Sequence, residues 1–152
     1  GHLQRNKVKY IAPFVALIHS VNSISLLKEI QKQALKNSRV IPILLQFKVA
    51  NEDSKFGLDP NDLENTLQYI EDNSFPNISI DGVMGMGTFT DDKNVTIVEF
   101  RALKSIFDKL KGGYFKDSET FNQLSMGMSG DYELALNHGS TMVRLGSILF
   151  ED

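Results

Sequence analysis

The sequence predicts an α/β fold built around a parallel β-sheet. Five short apolar runs alternate with segments whose apolar residues recur at helical spacing, in the order β-α-β-α-β-α-β-α-β. Successive units are roughly 20–40 residues long, which suits strand–helix–strand units with right-handed crossovers. Because no linker or internal repeat divides the 152 residues, we expect residues 1–152 to form one domain.

The first two strands are predicted in the first third of the chain. The apolar run 14–21 has the composition of a strand buried on both faces, and Pro13 ends the polar segment before it. Ser23 is the predicted N-cap of a helix that ends near Asn37, and the run 40–49 is the second strand. One face of the helix is expected to be buried, because its apolar residues share helical spacing: Leu26, Leu27, Ile30, Ala34 and Leu35.

The next two helices frame the third strand. Asp59 and Pro60 form a typical helix start, an N-cap followed by proline at the first helical position. The run 78–86 is the third strand, and 95–111 is the longest helix, which a pair of glycines ends. The residues of this helix that are expected to face the core are Val98, Leu103, Ile106, Phe107 and Leu110.

Two short strands, 123–126 and 142–145, are predicted near the end of the chain and are joined by a helix over 130–138. Five strands in this order are compatible with an open doubly wound sheet. They are equally compatible with the larger part of an eight-stranded (β/α) barrel, which typically has about 250 residues. The apolar pattern alone favours neither architecture.

The stretch around the last two strands carries the main candidate site. Ser129 follows the fourth strand, and Gly146 and Ser147 follow the fifth. In a parallel α/β sheet the carboxyl ends of neighbouring strands lie side by side, and ligands bind there. The hydroxyl, the backbone amides, the N-terminus of helix 130–138 and the guanidinium of Arg144 together favour an anionic, phosphorylated small molecule. The alternative is structural, with Ser129 as the N-cap of the helix, Gly146 as a turn glycine and Arg144 on the surface or in a salt bridge.

Composition excludes several classes of function. The net charge of −3 gives no electrostatic basis for binding nucleic acid. No apolar run approaches the roughly 20 residues that span a bilayer. Zero cysteines exclude disulfides and thiolate metal sites and fit a cytoplasmic protein, and the three histidines lack metal-ligand spacing. We therefore expect a cytoplasmic protein with a small-molecule ligand, without a metal, a nucleic acid or a membrane as partner.

Four blocks of the sequence resemble one protein family. They are GHLQRNKVKY, ILLQFKVANEDSKFGL, DGVMGMGTFTDD and LSMGMSGDYELALNHGSTMVRLGSILF. Together they are similar to the pyridoxal phosphate homeostasis proteins, single-domain relatives of the alanine racemase barrel. The resemblance implies a partial TIM-like (β/α) barrel of about five parallel strands that binds pyridoxal 5′-phosphate (PLP) at the carboxyl ends of its strands. It also implies a role in vitamin B6 and amino-acid homeostasis, as a carrier or regulator of PLP without catalytic turnover.

The resemblance also implies roles for individual residues. The Ser129 hydroxyl and the amides of Gly146 and Ser147 would hold the PLP phosphate, and Arg144 would face the pyridine nitrogen. Because an arginine stays charged, it keeps that nitrogen unprotonated and makes PLP a weaker electron sink. Such a partner suits holding the cofactor better than carbanion chemistry. Met128 is expected to line the pocket.

The sequence departs from the family pattern at its start. Family members carry a Schiff-base lysine on the first barrel strand, in a motif like AVSKTKP, and no such motif occurs here. We therefore expect a fragment that lacks the first two or so strands and cannot attach PLP covalently through the family's usual lysine. Lys55, in the loop EDSKFG, is either a solvated loop residue or a residue that contacts the ligand or accepts PLP secondarily. A partial barrel exposes two apolar edges, which predicts marginal stability or a homodimer that covers the open edge.

Two other functions remain open. One is a PLP-dependent enzyme such as an amino-acid racemase, which would need a second acid/base, typically a tyrosine from a separate C-terminal domain. The sequence ends at Asp152 without such a domain, so we expect a carrier. The other is a non-PLP α/β domain that binds a phosphosugar or a nucleotide and would lack the absorbance of bound PLP.

Overall fold

The computed structural model describes residues 1–50 and 56–150. Strands and helices alternate from β1 onwards, and a short helix precedes them. The elements are α1 (Val8–Ile11), β1 (Ile18–Val21), α2 (Ile24–Lys36), β2 (Ile41–Phe47), α3 (Leu63–Asn73), β3 (Ile78–Gly85), α4 (Lys93–Gly112), β4 (Gln123–Met128), α5 (Tyr132–Asn137) and β5 (Met142–Arg144).

The strand order decides between the two architectures that the sequence left open. All five strands are parallel, and each pairs with the next in chain order, β1-β2-β3-β4-β5. A doubly wound sheet reverses its strand order at a switch point, whereas a (β/α) barrel adds each strand beside the previous one. The predicted partial TIM-like barrel is therefore confirmed.

The sheet is curled, and one hydrogen bond demonstrates this. Neighbouring strands lie about 4.8 Å apart, so β1 and β4 would be roughly 14 Å apart in a flat sheet. Nevertheless, Nδ1 of His19 in β1 lies 3.4 Å from Oγ of Ser125 in β4. The two side chains meet because the face that carries them is concave, as the interior of a barrel must be.

The two faces of the sheet have different compositions. Gln46, Met84 and Ser125 are in register on neighbouring strands, are buried, and share the concave face with His19. The convex face packs against the helices and forms the main core, to which the strands contribute Ile41, Ile43, Leu45, Phe47, Val83, Leu124 and Met126. Because side chains alternate along a strand, polar groups collect on the concave side while the apolar core stays continuous.

The predicted helix starts are confirmed by their capping bonds. The Ser23 hydroxyl accepts a hydrogen bond from the Leu26 amide at 3.3 Å, and α2 begins one residue after Ser23. Oδ1 of Asp59 accepts from the Asn61 amide at 2.8 Å, and Pro60 begins a single 3-10 turn that leads into α3. Within the described ranges, no helix is both long and apolar enough to cross a membrane.

Two predicted core positions are wrong. Leu35 in α2 is 63% exposed and Val98 in α4 is 66% exposed. Leu103, Phe107 and Leu110 are buried as predicted, but the first turns of α4 bury Glu99 and Phe100 in place of Val98.

Candidate functional site

A cavity of about 420 Å³ lies at the carboxyl ends of β4 and β5. Its lining includes five of the six predicted binding residues: Met128, Ser129, Arg144, Gly146 and Ser147. The rest of the lining comes from the loop after β3 and from the loop after β4: Thr88, Phe89, Thr90, Asp91, Gly130 and Asp131. The sixth, Lys55, lies outside the described residues. The structure thus brings together groups that are up to 59 positions apart in the sequence, such as Thr88 and Ser147.

The hydroxyl of Ser129 connects the two strand ends. Its oxygen accepts hydrogen bonds from the amides of Gly146 at 3.1 Å and Ile148 at 3.5 Å. Since a hydroxyl also carries one proton, Ser129 keeps a donor for a ligand oxygen. Ser129 is not the N-cap that the structural alternative predicted, because α5 begins at Tyr132 and its N-cap residue is Asp131, but its two bonds to backbone amides do stabilise the turn after β5.

Asp131 changes the expected electrostatics of this cavity. Its Oδ1 accepts from the Met128 amide at 2.6 Å, and its carboxylate lies at the N-terminus of α5. A carboxylate there already interacts with the positive end of the helix. This carboxylate weakens the attraction of the helix end for an anion, whereas the Ser129 hydroxyl, the Arg144 guanidinium and the turn after β5 border the same cavity.

Arg144 is the cation of the site and links three strands. From β5 its Nη1 donates to Oγ of Ser125 in β4 at 2.6 Å, and its Nη2 donates to the carbonyl of Gly85 in β3 at 3.0 Å. Burial lowers the pKa of Arg144 and the nearby Asp131 raises it, but an arginine remains charged at any working pH. Both acceptors are uncharged, and the guanidinium has five N–H groups, so donors are left for a ligand.

Arg144 also borders a second cavity, of about 530 Å³, on the concave face. There it lies with His19, Gln46, Met84 and Met86. Burial lowers the pKa of His19, and the positive charge of Arg144 lowers it further, so the imidazole is neutral at neutral pH. The Ser125 oxygen accepts from Arg144 and lies 3.4 Å from Nδ1 of His19, so the three side chains form a continuous polar chain across the concave face.

The sequence analysis missed a buried carboxylate that supports the wall of the first cavity. Glu99 in α4 is 6% exposed, and its two oxygens accept from the amide of Thr88 at 2.7 Å and from its hydroxyl at 2.6 Å. The sequence held no signal for it, because only the structure shows that Glu99 shares a buried stripe with Thr96 and Leu103. An acidic residue on the apolar face of a helix indicates a specific buried partner.

A curled parallel sheet with a cation, a hydroxyl and two adjoining cavities at its carboxyl edge has the architecture of the (β/α) barrel class, in which ligand sites lie at that edge. The sequence profile of the alanine racemase N-terminal domain matches residues 1–152. The chain therefore belongs to that family.

Two similar relatives are named for pyridoxal phosphate. The pyridoxal phosphate homeostasis protein of Aquifex aeolicus is 37% identical over 150 residues, and that of Helicobacter pylori strain J99 is 33% identical over 153. The matches cover 99% and 100% of this chain but 64% and 65% of those proteins, so the chain spans about two thirds of their length.

Solved structures agree with this assignment. PipY of Synechococcus elongatus with PLP bound superimposes with a TM-score of 0.84 at 28% identity, covering 99% of this chain and 68% of PipY. A protein of Bifidobacterium adolescentis superimposes with a TM-score of 0.89 at 34% identity, covering 99% of this chain and 58% of the other. An alanine racemase of Clostridium difficile, at 18% identity and a TM-score of 0.71, shares the fold; the alignment covers 100% of this chain and 38% of the racemase.

Proposed function

We propose that this chain binds pyridoxal 5′-phosphate and acts in vitamin B6 and amino-acid homeostasis as a cytoplasmic carrier or regulator of the cofactor. The observation that carries the proposal is the convergence of Ser129, Gly146, Ser147 and Arg144 at one cavity, in a fold that superimposes on PLP-bound PipY. The names of the curated relatives support the same ligand.

The residues of the cavity fit this cofactor. A phosphate monoester needs several hydrogen-bond donors, and the Ser129 hydroxyl and the turn at Gly146 and Ser147 supply them. Arg144 supplies a positive charge beside them, and Met128 supplies apolar surface. We assign the phosphate to Ser129 and the amides of Gly146 and Ser147, and the ring nitrogen to Arg144.

The contacts of Ser129 and Arg144 suggest a separate role for each residue. Bound PLP supplies an aldehyde that reacts with amines and a ring that withdraws electrons. Ser129 would donate its proton to the phosphate, and the amide of Gly146, which donates to the Ser129 oxygen at 3.1 Å, would be shared with the phosphate as a three-centre bond. Arg144 is held in place by Ser125 and the Gly85 carbonyl, so it reaches the ring as an oriented donor.

A holding role is favoured over catalytic turnover because of the charge of Arg144. A permanent cation opposite the ring nitrogen prevents protonation of that nitrogen and weakens the ring as an electron sink. The neutral His19 near Ser125 adds no negative charge that would reverse this effect. A chain built in this way retains the cofactor without strongly activating it.

Replacing Ser129 with alanine is expected to lower the affinity for pyridoxine 5′-phosphate about 10-fold, because one hydrogen bond to a charged group is lost. This probe carries an alcohol in place of the aldehyde and reports non-covalent binding free of reaction with lysines. The measurement is isothermal titration calorimetry of the unaltered chain and Ser129→Ala.

Ser147→Ala is the matched control, because it removes a neighbouring hydroxyl but keeps the backbone amide that we assign to the phosphate. We expect its affinity to stay within about 2-fold of the unaltered chain. Pyridoxine without its phosphate is expected to bind at least about 10-fold more weakly. Equal binding of the phosphorylated and unphosphorylated probes would contradict the phosphate assignment.

We propose further that two copies of the chain associate through the open edge of the sheet. Within the described residues β1 and β5 each lack a neighbouring strand on one side, and an exposed apolar segment follows β5: Leu145, Ile148, Leu149 and Phe150. Unpaired strand edges beside apolar side chains favour association.

Sedimentation velocity is expected to show a dimer of the chain. The substitution Leu149→Lys should weaken this dimer, and Val98→Lys, on the exposed face of α4, should leave it unchanged. A monomer at every concentration would exclude the dimer.

A further inference from the structure

Phe89 is 98% exposed, more than any other large apolar side chain of the described residues. It lies in the loop between β3 and α4 and borders the same cavity as Ser129 and Arg144. Single exposed apolar residues are common on protein surfaces and need no special explanation. The exposure of Phe89 does need an explanation, because hydrogen bonds fix the loop on both sides of this residue.

The residue before Phe89 is held by α4. The amide and hydroxyl of Thr88 both donate to the carboxylate of Glu99, at 2.7 and 2.6 Å. The residue after it is held as well, because the Thr90 hydroxyl accepts from the amide of Asp92, the N-cap residue of α4, at 3.1 Å. The backbone is therefore fixed on both sides of Phe89, which keeps this residue at the cavity wall.

Glu99, which makes these bonds to Thr88, occupies a core position of α4. Glu99 is buried in the stripe of α4 that otherwise packs against the sheet, where an apolar residue would bury more surface without a polar group to satisfy. Both of its oxygens are used by Thr88. The carboxylate thus connects the rigid helix to the loop that carries Phe89.

We propose that Phe89 is a specificity-determining residue that covers one side of the aromatic ring of the bound ligand, with Glu99 as the residue that positions it through Thr88. The inference rests on the proposed function, since the ring belongs to the pyridoxal phosphate assigned above. An apolar wall selects an aromatic phosphate monoester over inorganic phosphate, which has no surface to pack against it.

The test compares two probes, pyridoxine 5′-phosphate and inorganic phosphate, by calorimetry on the full chain. Phe89→Ala is expected to weaken binding of pyridoxine 5′-phosphate about 5- to 20-fold and to change binding of inorganic phosphate less than about 2-fold. Phe89→Tyr, which keeps the ring, is expected to restore the affinity to within about 2-fold. Phe14→Ala removes another exposed phenyl ring, 72% exposed and remote from the cavity lining, and is expected to change neither affinity.

A separate measurement tests whether Glu99 positions Phe89 through Thr88. Thr88→Val removes the hydroxyl that donates to Glu99 but keeps the shape and the amide. We expect it to weaken pyridoxine 5′-phosphate binding about 3-fold, and the Thr88→Val, Phe89→Ala double variant to bind as Phe89→Ala does. Additive losses would assign Thr88 and Glu99 a purely structural role and overturn the positioning part of the inference.

The outcomes separate this inference from the function on which it rests. If the unaltered chain binds neither probe, the proposed function and the role of Phe89 both fail. If it binds pyridoxine 5′-phosphate and Phe89→Ala binds equally well, only the role of Phe89 fails. An equal loss for both probes would show that Phe89 shapes the phosphate site and does not select the ring.

Discussion

Gly82→Ala is expected to destabilise the protein by at least about 3 kcal/mol, a large share of the stability of a typical domain. A Cβ atom at this position would lie 1.8 Å from the carbonyl oxygen of Gln123 and 2.6 Å from its carbonyl carbon. The obstacle is backbone, so no change of rotamer relieves it. The strands β3 and β4 must separate here, although Gly82 and Gln123 are paired in the sheet.

The loss is measured as the free energy of unfolding from urea titrations followed by circular dichroism. Gly112→Ala is the control, because a Cβ at this last residue of α4 has no atom within 4 Å. Alanine in a helix is favoured over glycine, so the control is expected to be neutral or up to about 1 kcal/mol more stable. Equal unfolding midpoints for Gly82→Ala and the unaltered chain would contradict the close approach of β3 and β4.

The order of the elements was predictable from the sequence because each one carries a local signal. Ser23 and the Asp59–Pro60 pair mark helix starts through chemistry that lies within a few residues, and the structure shows both capping bonds. The orientation of a helix about its axis has no such local signal. Val98 and Glu99 are neighbours, and only the packing of α4 on the sheet decides that the valine is exposed and the glutamate buried.

The apolar periodicity could not predict the closure of the sheet either. Doubly wound sheets and barrels use the same strand–helix unit and differ in which strands become neighbours. The resemblance to a known family, and not the apolar pattern, predicted the barrel. The strand order and the contact of His19 with Ser125 provide the physical confirmation.

The candidate site was predictable where its residues follow strand ends. Ser129, Gly146 and Ser147 were expected to meet because parallel strands share a carboxyl edge, and they line one cavity. The partners that orient this group were not predictable, because they come from distant elements. Ser125 on the concave face and Glu99 on α4 are identified only by the atoms that they contact.

Arg144→Met is expected to weaken binding of pyridoxine 5′-phosphate about 100-fold, since a charge-assisted contact worth roughly 2–3 kcal/mol is removed. Methionine keeps an unbranched apolar stem of similar length to that of arginine, so the main change is the loss of the guanidinium. The same variant leaves the hydroxyl of Ser125, which is fully buried, without its donor. A destabilisation of about 1–3 kcal/mol is therefore expected as well.

Two further variants separate the charge of Arg144 from its geometry. Arg144→Lys keeps the charge but cannot reach Ser125 and the Gly85 carbonyl together as the planar guanidinium does, so we expect a loss of about 10-fold. Arg101→Met removes an exposed arginine from α4 and is expected to bind normally. Calorimetry at a temperature where every variant is folded gives the affinities, and normal binding by Arg144→Met would refute the assignment of Arg144 to the ligand. If lysine restores full affinity, the charge alone is sufficient, and the bonds to Ser125 and Gly85 serve the fold and not the ligand.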